Sequence, residues 1–98
     1  MQFLIKASDG ANMLEQRLAV RPRHLENMAR VKGSVLCAGV LLDEAGRMRG
    51  SVLILDVERR EDLDAYLKSE PYIAAGVWET VEVEPLNVVI VNGEKLGS

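Results

Sequence analysis

Three stretches of this chain are apolar without alternation: Val35-Leu36-Cys37-Ala38-Gly39-Val40-Leu41-Leu42, Val52-Leu53-Ile54-Leu55, and Leu86 to Val91, interrupted only by Asn87. A strand with one wet face alternates apolar and polar residues, whereas a strand covered on both faces does not. Met1 to Ala7 does alternate, with Met1, Phe3, Ile5 and Ala7 on one side, and Ser8-Asp9-Gly10 ends it. Between these strands lie helical patterns. Asn12 to Val20 repeats Met13, Leu14 and Leu18 at helical spacing, and Pro22 suits the first position of a second segment reaching about Lys32, closed by Gly33. Glu61 to Lys68 places Leu63, Tyr66 and Leu67 on one face and sets Asp64 four residues before Lys68.

Asp43-Glu44-Ala45-Gly46 reads as a turn joining Ser34–Leu42 to Arg49–Val57, and Thr80 to Val91 as a last strand with Pro85 at a bulge, bend or edge. The order β-α-β-β-α-β is the α+β ferredoxin-like pattern around a four-stranded antiparallel sheet. Two helices cover one side of such a sheet. A second copy of the chain, packed sheet against sheet across a two-fold axis, is expected to cover the other.

With 98 residues, one domain is expected, over residues 1–92, followed by a polar, fraying tail over 93–98. A net charge of −3, with arginines scattered among acidic neighbours, argues against a nucleic-acid partner. No apolar stretch approaches the roughly 20 residues that span a bilayer, and Met1 to Ala7 is too short for a signal peptide; a cytoplasmic location and no membrane partner are the expectation. The single Cys37 lies in an apolar run and reads as a buried structural thiol. One histidine and one cysteine, without metal-ligand spacing, point away from a protein-built metal site, and no phosphate-binding glycine loop is present. No cofactor is therefore expected.

The chemistry concentrates in two segments, Arg21-Pro22-Arg23-His24-Leu25 and Glu70-Pro71-Tyr72-Ile73-Ala74-Ala75-Gly76. His24, the only histidine, shares a helical stripe with Met28 and Val31, so its ring faces the core either as a packed side chain or as a general acid or base. Pro71 confines Glu70 to extended backbone, and the apolar residues that follow argue for a docked carboxylate rather than a solvated one ending a helix. Such a group could receive the ring N–H of His24. Arg21 is either a surface arginine paired with Glu15 or Glu26 or a clamp for an anionic ligand. Tyr72 and Ser51 are weighed between core or strand filling and pocket lining, and Arg17 is a weaker candidate of the same kind.

In their order and spacing, Arg21 to Leu25, Ala38-Gly39 with Gly50-Ser51, and Glu70 to Val77 resemble the YciI-like (YCII-related) proteins. That family has an Arg-x-x-His-Leu helix, a glycine-rich hairpin and an Asp-Pro-Phe/Tyr…Ala-Gly segment before the last strand. The likeness runs from Met1 to about Val91, with one departure: Glu70 stands where the family usually has aspartate, moving the charge outward by one methylene. The resemblance implies a dimeric α/β barrel and a homodimer. It also implies a His24–Glu70 pair as catalytic residues, with Arg21, Ser51 and Tyr72 binding a small, anionic organic substrate. The implied reaction class is a lyase or isomerase, possibly dehydrochlorinase-like. The alternatives are a non-catalytic dimeric metabolite-binding or accessory protein, and a haem-binding or cofactor-free monooxygenase-like protein in which His24 would be an axial ligand.

Overall fold

The computed structural model describes residues 1–95. The chain runs β1 (Gln2–Asp9), α1 (Leu14–Ala29), β2 (Ser34–Leu42), β3 (Met48–Asp56), α2 (Arg60–Lys68), a one-turn α3 (Pro71–Ala74), β4 (Trp78–Leu86), and a small hairpin of β5 (Ile90–Val91) and β6 (Glu94–Lys95). The main sheet has the order β2-β3-β1-β4, with antiparallel neighbours throughout. This is the ferredoxin-like α+β arrangement, with α3 inserted before the last long strand.

Alternation along β1 sends Phe3, Ile5 and Ala7 towards the helices, where they pair with Leu55, Leu53 and Ser51 of β3. Leu63 and Tyr66 of α2 and Val20 of α1 close over them. Burying each large apolar side chain of this set contributes about 1.5–3 kcal/mol. The opposite side of the sheet carries Leu4, Val52 and Ile54, half-buried in the single chain. Lys6 stands there beside Glu82.

Several local expectations are corrected. The two helical segments are one continuous α1 running through Pro22. Pro22 is exposed, and its missing N–H removes a bond to Leu18, which is also on the outer surface; the loss falls where water substitutes and where a helix can bend. The last strand stops at Leu86, and Ile90–Val91 pairs instead with Glu94–Lys95. Of the polar tail expected over 93–98, residues 96–98 lie outside the described residues. Asp64 pairs with Arg60, one turn back at 3.3 Å, rather than forward with Lys68. Cys37 is exposed in the single chain, because it projects from the open side of the sheet opposite Ile54.

The apolar residues of β2 lie on both faces of the strand, and a bulge shifts their phase near its start. The ladder pairs Val35 with Leu55 and then Cys37 with Ile54, so Leu36 is an extra residue in a bulge. Beyond it Ala38 and Val40 face the helices, opposite Leu53 and Ser51.

At Gly50 of β3 there is no room for a side chain beside β1. A Cβ there would collide with the Ala7 carbonyl oxygen and press on Leu41. Because that carbonyl belongs to a strand ladder, it cannot yield as a flexible side chain would. Gly50→Ala is expected to lose about 1–3 kcal/mol of stability, read as a lower urea midpoint with an unchanged slope.

Candidate functional site

Glu70 sits at the turn where α2 ends, held in extended backbone by Pro71 and capping α3: its Oε1 accepts the Tyr72 N–H at 3.0 Å. The same oxygen lies 2.8 Å from Nδ1 of His24 on α1. Oε2 accepts the Tyr66 hydroxyl at 2.7 Å and, more distantly at 3.4 Å, the Asn27 amide. Glu70 is 0% exposed and His24 5%. Glu70, with its longer side chain, thus reaches the imidazole within hydrogen-bonding distance. Burial pushes the Glu70 carboxyl up, but the His24 hydrogen bond, the Tyr72 N–H and the Tyr66 hydroxyl together outweigh it and hold the group below its ordinary value. Burial foremost, then the Glu70 charge, pushes the Tyr66 phenol far up, so it stays a donor.

The imidazole is packed as well as bonded. Tyr72 stacks on it with centroids 4.2 Å apart, and Trp78 meets its edge at 5.7 Å. The Tyr72 hydroxyl and the Trp78 indole N–H are buried without a protein partner among the described residues. Burial raises the Tyr72 phenol against the pull of Arg17 and Arg21.

Two turns before His24, Arg17 is 1% exposed. Its Nε and Nη2 grip Asp9 at 2.7 and 3.3 Å, and Nη2 also donates to Ser51 Oγ at 2.6 Å. The guanidinium carbon lies 4.6 Å from the Tyr72 ring centre. This is a paired, hydrogen-bonded charge, the form in which a buried arginine is tolerated.

Between α1 and the sheet lies a cavity of about 110 Å³. Arg17, Arg21, His24 and Ser51 give it its polar lining, and Leu25, Met28, Ala38 and Leu53 contribute apolar walls. Among the described residues no carboxylate lines it. Arg21 is half-buried there and makes no ion pair with Glu15 or Glu26 among the described residues. Nε2 of His24 has no hydrogen bond to a described residue, and the Ser51 hydroxyl accepts from Arg17 while its own hydrogen has no acceptor among them. Tyr72 does not line this cavity; it stands behind the imidazole as its stacking partner. Among the described residues, no group of three or more His, Cys, Asp or Glu side chains is arranged to hold a metal.

Arg17, Asp9 and Tyr66 had carried little or no weight as site residues. Reading a helix break at Pro22 removed the fixed phase between Arg17 and His24. In one unbroken helix Arg17, Arg21, His24 and Met28 form a single stripe. Asp9 read only as a strand breaker, and Tyr66 only as an inner-face aromatic.

Residues 1–87 match the YCII-related domain. The chain belongs to this family. Protein YciI of Escherichia coli is 38% identical over 97 residues, covering 91% of this chain and 99% of the relative. Among solved structures, a 5-chloro-2-hydroxyhydroquinone dehydrochlorinase from Burkholderia phenoliruptrix, in complex with 2,5-dihydroxybenzoquinone, superposes with a TM-score of 0.79. It is 25% identical, over 89% of this chain and 94% of that one. A cofactor-independent oxygenase from Streptomyces nogalater shares the fold at a TM-score of 0.57 and 11% identity, over 95% of this chain and 96% of that one. The family member described here thus has the fold of the dimeric α/β-barrel group. Its neighbours favour an enzyme-like or small-molecule-binding role. Among the described residues no helix is long and apolar enough to cross a membrane.

The Arg17–Asp9 pair yields a test of this architecture. Arg17→Met strands a buried carboxylate and is expected to cost about 3–5 kcal/mol. Adding Asp9→Asn should restore part of that loss, as measured by urea unfolding of the single and double variants.

Proposed function

We propose that this chain is a small-molecule enzyme in which His24 moves a proton at the cavity between α1 and the sheet. The supporting observation is an imidazole whose Nδ1 is tied to a water-excluded carboxylate while Nε2 has no partner among the described residues and the ring lines the cavity. A carboxylate on Nδ1 fixes the ring's proton there, orients the ring and stabilises its charged form, so that Nε2 is the working base. Arg21 would hold an anionic oxygen, Ser51 would donate its free hydroxyl hydrogen, and Arg17 would add positive potential. The substrate class is a small hydroxylated, anionic organic molecule, in keeping with the quinone held by the dehydrochlorinase that the chain resembles.

The reaction this supports is an elimination or isomerisation. Nε2 takes a proton from an acidic O–H or C–H, the freed electron pair forms a new double bond, and either an anionic leaving group departs or the proton returns elsewhere. An elimination removes one proton and one anion, so the step is redox-neutral. In the same reading a second copy of the chain covers the open sheet face at Leu4, Val52 and Ile54, with Cys37 beside them. Sedimentation equilibrium should then give twice the chain mass.

The activity is tested with a panel of halogenated and hydroxylated quinols and small hydroxy acids. His24→Ala should lose about 10²-fold or more in kcat with ligand affinity kept, and Arg21→Ala should mainly raise KM. Binding without turnover across the panel would make the chain a metabolite-binding protein. A haem absorbance band that disappears in His24→Ala would make His24 an axial ligand instead.

A further inference from the structure

Glu70 offers about four lone-pair positions, and four donors converge on it from three sides. His24 Nδ1 and the Tyr72 N–H meet Oε1; the Tyr66 hydroxyl and the Asn27 amide meet Oε2. Asn27 has a neighbour of its own: the Ser69 hydroxyl, whose one hydrogen is shared between Asn27 Oδ1 at 2.9 Å and the Tyr66 carbonyl at 3.0 Å, lies on the carbonyl side of the amide while the NH₂ group faces Glu70. Tyr66 and Asn27 do not line the His24 cavity. They border a separate cleft between α1 and α2.

We propose that Tyr66, assisted by Asn27, is a positioning residue that keeps Glu70 an acceptor-only carboxylate and thereby leaves Nε2 of His24 as the single working nitrogen. The inference rests on the acid–base reading of His24. A carboxylate already saturated with donors is a poor site for the Nδ1 proton, so that proton stays on the ring. Without the phenol, Oε2 would keep only the long Asn27 contact, and a buried, under-bonded oxygen is the natural place for a proton to settle. The titratable groups facing Glu70 are His24 from α1, Tyr66 from α2 and the Tyr72 ring from α3.

The sign follows from linkage. Glu70 is held below its ordinary carboxyl value, so the stability it contributes is present above the unfolded value and is lost as pH falls through the folded one. Tyr66→Phe keeps the ring and its packing but removes the donor, raising the folded value. The stability gap between wild type and Tyr66→Phe should therefore be widest near neutral pH and close on acidification, as Glu70 becomes protonated in both proteins.

The experiment is urea unfolding of both proteins from pH 8 down to about pH 2, so that Glu70 is protonated in both at the acid end, with ¹⁵N NMR of the single histidine ring in the wild type. The expected spectrum has the neutral ring protonated on Nδ1 and bare on Nε2. A gap that does not change with pH would reduce Tyr66 to a packing residue and overturn this inference alone. A wild-type ring protonated on Nε2 would overturn the inference and the acid–base reading together. Should Tyr66→Phe fail to fold, Asn27→Ala decides by the same measurement, with a smaller gap of the same pH dependence expected and a flat gap overturning the proposal.

Discussion

A carboxylate with no contact with water must be held by donors or it will not remain charged, and the placement of Glu70 meets that condition from three helices at once. The same two oxygens cap α3, receive the Tyr66 hydroxyl of α2 and dock α1 through His24. The carboxylate thus ties the three helical elements together. Its cost is a desolvated charge, offset by hydrogen bonds that are about twice as strong for being charge-assisted. A group that organises the fold in this way also orients the imidazole, so architecture and chemistry draw on one interaction.

Arg17 plays the corresponding part on the sheet side. It joins α1 to the end of β1 through Asp9 and to β3 through Ser51, while its flat face covers Tyr72. Arg17 and His24, two turns apart on one helix, therefore fix α1 at both ends of the cavity: one to the sheet, the other to α2 and α3. Tyr72 lies against both side chains. The cavity between them is bounded by cations and apolar walls, and an anion entering it meets no lining carboxylate among the described residues.

Much of this was legible in the sequence. The strand and helix order follows from apolar periodicity, and the Pro71 constraint together with apolar neighbours marked Glu70 as docked. What remained hidden was long-range or local in a way that pattern does not encode. Pro22 looked like a helix start, since propensity cannot register that its lost hydrogen bond would lie on the wet side of a continuous helix. That error concealed Arg17, whose burial depends on Asp9 across the preceding loop and on Ser51, 34 residues further along the chain. Tyr66 gave a correct face but no hint of its hydroxyl, because an aromatic at an inner position satisfies the pattern with or without a partner. In β2 apolar residues stand on both faces of the strand, and the bulge at Leu36 that shifts their phase leaves no mark in the pattern.

That bulge has a further consequence. Leu36 is a pure insertion: the pairs on either side of it, Val35 with Leu55 and Cys37 with Ile54, would be adjacent rungs without it. The residue adds nothing to the register of the cavity wall at Ala38. It does, however, join Cys37, Val88, Ile90 and Val91 around an apolar hollow beside the C-terminal hairpin. The bulge therefore shapes the rim of that hollow independently of the pairing that sets the wall of the His24 cavity.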